Sequence, residues 1–257
     1  MNELIKTVCN NDEKKLEELI RRGIGIDSRD NKGLTALMHA LSKGYKKLAR
    51  LLIEKGADFS IKDIHGRDAL VMACIEGYPK IMQLLIDKGA RINSKYNNKQ
   101  TPLIIAAANG NSKSLKILIR EGAQLNTKDD YGWTPLMHAA QVNDLETVKI
   151  LIDQGAEINI QEKEGWTALM IAASQKSSKV VKYLIKNGAN INTKNKAGLS
   201  AIILSILFDN RDIVKELAKN GADIFAKDNL NRNALDLAKE KKDNDILNIF
   251  REDGLLS

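Results

Sequence analysis

The chain has 257 residues, a net charge of +7, 43% hydrophobic residues and only 4% aromatic ones. That hydrophobic share excludes wholesale disorder, and so few aromatics and prolines point to a helical core of Leu, Ile and Ala. The longest apolar run, Ala201 to Phe208, is far short of the ~20 residues a membrane-spanning helix needs, so no span is expected.

The N-terminal stretch MNELIKTVCNNDEKK has no uninterrupted apolar centre of the secretory kind, and two cysteines make no disulfide framework. A cytoplasmic location is the expectation. Within this stretch Asn2 starts a series at a spacing of 33 residues: Thr35, Asp68, Thr101, Thr134, Thr167, Ser200 and Asn233. Every member carries a short side-chain oxygen that can accept from the free N–H groups of a helix start. Pro102 and Pro135 follow two of them, at the first helical position, where a missing N–H costs nothing. Next comes a short apolar helix, ALMHAL from Ala36 or PLIIAAA from Pro102, and after a polar break an amphipathic one such as LARLLIEK, IMQLLIDK or VKILIDQ. Gly23, Gly56, Gly89, Gly122, Gly155, Gly188, Gly221 and Gly254 end the second helix, again 33 residues apart, and a left-handed conformation is expected at each. Neither helix buries its apolar face alone, so the pairs must stack.

The run GWTPLMHAA from Gly132, closed by Gly155 and Ala156 at this period, resembles the ankyrin repeat, and the likeness covers the whole chain. The resemblance implies an all-α fold: an ankyrin-repeat solenoid of stacked helix-turn-helix units with β-turn and loop fingers. It implies one domain, 1–257, of about eight repeats: an N-terminal cap at 1–29, internal repeats at 30–62, 63–95, 96–128, 129–161, 162–194 and 195–227, and a C-terminal cap at 228–257. One departure stands out. The family often places histidine after TPL, bonding neighbouring loops, whereas this chain has Met38, Val71, Ile104, Met137, Met170 and Ile203 there. Weaker loop bonds are therefore expected.

Candidate chemistry concentrates in KDDYGWTPLMHAAQ, Lys128 to Gln141, where Asp129, Asp130, Thr134 and His138 stand beside Tyr131 and Trp133. One repeat later the chain reads QEKEGWTALMIAAS, with Ile171 in place of the histidine. A catalytic constellation is not restated with its reactive groups erased, so no enzyme and no cofactor are expected. His39 and His138 lie three repeats apart, some 24–30 Å at the usual helix spacing, and share no metal ion. The second-helix column Arg50, Gln83, Lys116, Lys149, Lys182, Lys215 is basic and raises nucleic acid or an anionic surface as an alternative. The first-helix column, Leu34, Arg67, Gln100, Trp133, Trp166, Leu199, Arg232, is mixed, unlike a phosphate track, so a solvated face is the favoured reading. One acidic block interrupts the basic chain, residues 129–161 holding six acids against Lys149 alone.

The expected function, implied by the resemblance, is a non-catalytic scaffold acting as a monomer and binding another protein on the concave turn and first-helix surface. An exported effector of a host-associated microbe is a variant of the same idea, without a visible signal. Asp130, Tyr131, Trp133, Gln141, Val142 and Trp166 are the candidate partner-binding residues, because they stray from the repeat template or supply aromatic anchors.

Overall fold

The computed structural model describes residues 2–255; Met1 and the last two residues of the expected C-terminal cap, Leu256 and Ser257, lie outside the described residues. The described residues form 16 α-helices and no strand, in pairs of seven and nine residues, with a short 3-10 turn at Asn97–Lys99. They fall into two compact units that divide between Gln124 and Leu125. The first unit holds α1 (Glu3–Cys9), α2 (Glu13–Arg21), α3 (Ala36–Ser42), α4 (Lys46–Glu54), α5 (Ala69–Ile75), α6 (Pro79–Asp87), α7 (Pro102–Ala108) and α8 (Ser112–Arg120). The second holds α9 (Pro135–Gln141), α10 (Leu145–Asp153), α11 (Ala168–Ser174), α12 (Ser178–Lys186), α13 (Ala201–Leu207), α14 (Arg211–Lys219), α15 (Ala234–Glu240) and α16 (Asn244–Glu252). Among the described residues no helix is long and apolar enough to cross a membrane.

Within each unit the odd-numbered helices pack in one row and the even-numbered ones in another, so each pair covers the apolar flank of its neighbour. The short helices are buried almost all round. Ala69 to Cys74 of α5 and Ala201 to Ile206 of α13 expose almost nothing, which explains why they read as unbroken apolar runs. Their starts follow the capping series: Asn2, Thr35, Asp68, Thr101, Thr134, Thr167 and Asn233 each accept from the N–H three residues on. Ser200 is the exception. It has the cap backbone but makes no cap bond, and its buried Oγ has no hydrogen-bond partner. At the other end the expected left-handed glycines are all present, with φ from 68° to 95°. A Cβ at any of them would meet nothing within 4 Å, so backbone conformation alone selects glycine there.

The loops are joined by side-chain bonds that do not use the position after TPL. Asn93, Asn126, Asn159 and Asn192 each reach the next repeat. The Asn159 Oδ1 accepts from the Asn190 N–H at 2.8 Å and its Nδ2 donates to the Gly188 carbonyl at 3.0 Å. Asn93 and Asn192 make the same pair of bonds, while Asn126 accepts from the Glu157 N–H and donates to its carboxylate. Long side chains add a second line. Arg29, Lys62, Lys128, Gln161 and Lys194 each donate to a backbone carbonyl 33 residues ahead.

Two predictions follow from these bonds. Asn159→Ala removes both bridges of one asparagine and lowers stability by about 1–2 kcal/mol, measured by urea unfolding. Asp68, a capping carboxylate where four other repeats use threonine, is buried, and that burial pushes its pKa above the usual aspartate value despite bonds from the Val71 N–H and Ser94. An acid raised in the folded state costs stability once it must ionise and costs nothing when protonated in both states. Asp68→Thr should therefore raise the unfolding midpoint at pH 7, and the gain should vanish below about pH 3.

Candidate functional site

The turn that opens the fourth internal repeat is organised by one carboxyl group. Asp129 Oδ1 accepts from the N–H groups of Tyr131 and Trp133, each at 2.9 Å, and the Asp129 N–H donates to the Trp133 carbonyl at 3.0 Å. The second oxygen, Oδ2, pairs with His138 Nε2 at 2.9 Å. Asp129 is buried, and the His138 ring is covered by Trp133, with ring centroids 5.1 Å apart and planes tilted by 53°. The aspartate, the histidine and the indole thus form one clasp between the turn and α9.

The same position in other repeats shows what the histidine does. Asp30 has His39 at the same offset, 2.9 Å from its Oδ2, and takes N–H bonds from Lys32 and Leu34. Asp63 and Asp228 lack that histidine and instead use Arg67 and Arg232, four residues on, at 2.6 and 2.9 Å. Asn195 needs no counter-charge, and Leu199 and Leu204 stand where arginine or histidine stands elsewhere. Burial pushes the carboxyls of Asp30, Asp63 and Asp228 up, but the N–H groups and the histidine or arginine outweigh it and hold all three below the usual aspartate value. His39 and His138 thus bond the turn carboxylates of Asp30 and Asp129.

The six residues expected to meet a partner divide by exposure. Tyr131 at the turn tip is 62% exposed and Val142, the C-cap of α9, is 46% exposed; Gln141 is exposed as well. Asp130, Trp133 and Trp166 are half-buried. Trp166 sits in the next turn, where Glu162 Oε1 accepts from its N–H at 2.9 Å. The two turns are joined by the Lys163 N–H, which donates to the Tyr131 carbonyl at 3.3 Å. Gly132 permits this approach, since a Cβ there would lie 3.0 Å from the Lys163 nitrogen. Tyr131, Trp133 and Trp166 therefore share one edge, while Gln141 and Val142 lie at the far end of α9, about 10 Å along a seven-residue helix.

Two further apolar groups repeat this arrangement in the second unit. Leu230, 70% exposed, occupies the turn position of Tyr131, and Phe208, 45% exposed, occupies the C-cap position of Val142. Counting by 33 residues from Tyr131 and Val142 reaches both.

Truncating the histidine tests the clasp. His138→Leu leaves a buried carboxyl short of a partner and should lower stability by about 2 kcal/mol, read from urea unfolding. Adding Asp129→Asn should return most of that loss, because the pair then copies Asn195 and Leu204.

No curated protein matches the chain. A family model described as ankyrin repeats (3 copies) matches residues 4–96, 92–162, 142–228 and 169–254, which together span nearly every helix pair described above. With the recurrent cap, the left-handed glycine and the paired helices in the same register, the chain belongs to the ankyrin-repeat family.

Proposed function

We propose that the chain is a non-catalytic scaffold that binds another protein through the turn tips and first helices of its second unit. Asp130, Tyr131, Trp133, Gln141, Val142 and Trp166 form the contact surface, extended by Phe208 and Leu230. Ankyrin repeats are in general protein-interaction modules, which supports the class of function. The observation that carries the choice of surface is the exposure of a large ring at Tyr131, on a turn fixed by the Asp129 bonds and the Lys163 link. A side chain on a rigid turn loses little conformational freedom on binding, so its apolar area contributes nearly in full. Tyr131 and Trp133 serve different ends: the tyrosine meets the partner with the exposed part of its ring, while the indole presents the part of its surface that His138 leaves open.

The acidic character of residues 129–161 fits a partner with a basic contact face. The reading is tested by capture of a partner with the wild-type chain and with Tyr131→Ala, Val142→Ala. Both side chains are exposed, so the variant should keep the wild-type melting temperature while its affinity falls by about 30-fold. Capture at undiminished strength by the folded variant would move the interface elsewhere on the repeats.

A further inference from the structure

One nucleophile lies outside the surface just described, and its setting is not that of an ordinary packed cysteine. Cys9, the last residue of α1, is half-buried, and its Sγ lies 4.0 Å from Nδ1 of His39 on α3. The other ring nitrogen, Nε2, is 2.9 Å from Asp30 Oδ2. Asp30 is in turn fixed by two backbone N–H bonds, from Lys32 at 2.8 Å and Leu34 at 2.9 Å. The carboxylate therefore favours the tautomer with the proton on Nε2, which leaves the Nδ1 lone pair directed at the thiol. A thiol, a base and a group that orients the base stand in series, the arrangement that raises a nucleophile's reactivity.

The molecule carries its own comparisons. Cys74, on α5, is fully buried, and burial pushes its thiol far above the usual range, so it stays protonated and shielded. The Asp129–His138 pair has the same oxygen-to-nitrogen distance, but there Trp133 covers the ring.

We propose that Cys9 is a site of reversible thiol modification by small disulfides, with His39 as its base and Asp30 as the positioning residue. The Cys9 proton passes to His39 Nδ1, and the thiolate attacks one sulfur of a disulfide R–S–S–R. The S–S bond breaks, Cys9 forms a new S–S bond to one half, and the leaving thiolate takes the proton back from His39. Atoms and electrons balance, and the only co-reactant is the disulfide itself. Exchange with excess thiol reverses the step. The end of α1 is the negative end of that helix and works against a thiolate, so the histidine has to supply the activation.

The test uses the full chain with glutathione disulfide at neutral pH, followed site by site by mass spectrometry. The expected result is one glutathione adduct at Cys9, removed by dithiothreitol, with Cys74 unmodified. His39→Gln, which keeps hydrogen-bonding groups in place but cannot take the proton, should slow the Cys9 reaction by about tenfold or more. Asp30→Asn should slow it as well, and adding free imidazole to His39→Ala should restore part of the rate. If a variant loosens the fold, Cys74 begins to react too, so loss of structure is told apart from loss of the base by the Cys74 adduct. Equal Cys9 rates in wild type and His39→Gln, with Cys74 still protected, would overturn the proposal. So would an unmodified Cys9 under conditions that modify an unstructured cysteine peptide.

Discussion

Six of the seven turns between repeats depend on a side-chain oxygen at their first position, which accepts the N–H groups two and four residues ahead; Tyr96 opens the other, which closes through the 3-10 turn at Asn97–Lys99. Asp30, Asp63, Asp129, Asn195 and Asp228 all do this, and Glu162 does it with its longer side chain. These bonds close the turn and so aim the chain into the next capping residue. They also bring carboxyl groups into the protein, where an unmatched charge is costly. For the aspartates the chain solves this locally, with an arginine four residues on or a histidine nine residues on, and at Asn195 it replaces the acid. What looks like scattered polar chemistry in the sequence is one problem answered in three ways.

Much of the fold was legible because the backbone demands recur. A helix start needs an acceptor, a helix end needs a left-handed residue, and neither requirement depends on neighbours far away in the chain. Such requirements leave the same mark at Thr35 and at Thr167, or at Gly56 and at Gly221. Ser200 shows the limit. Its residue type allows a cap bond, yet its hydroxyl makes none, and side-chain rotation is not written in residue type. The asparagine bridges were equally periodic in the sequence, at Asn93, Asn126, Asn159 and Asn192. Residue type does not mark them as bridges, because their partners lie a repeat away, and polarity in a loop says nothing of distance.

The candidate surface was less legible, for a geometric reason. Tyr131 and Trp133 are both aromatic, two residues apart in one turn, and composition cannot say which faces solvent. The turn decides it: the bonds to Asp129 fix the backbone so that Trp133 falls against His138 while Tyr131 stands clear. The same bonds show why Asp129 and His138, the residues most suggestive of catalysis, are spent on folding.

That assignment has a consequence for how the surface can vary. In the turns of Asp63 and Asp228, which have no histidine to meet the carboxylate, the fourth residue is the arginine that does so. In the turn of Asp129 the histidine takes that duty from α9, and the fourth position is released to hold Trp133. In the turn of Asp30 His39 likewise releases Leu34. A histidine within the buried row therefore exchanges a cationic turn face for an apolar one without leaving a carboxylate unmatched. The side chain that bonds the carboxylate inside the fold and the character of the outer face are coupled at this position. The turn of Glu162 reaches an aromatic fourth residue by another route: Trp166 stands there with Ile171 at the helix position, and the longer acid is only half-buried.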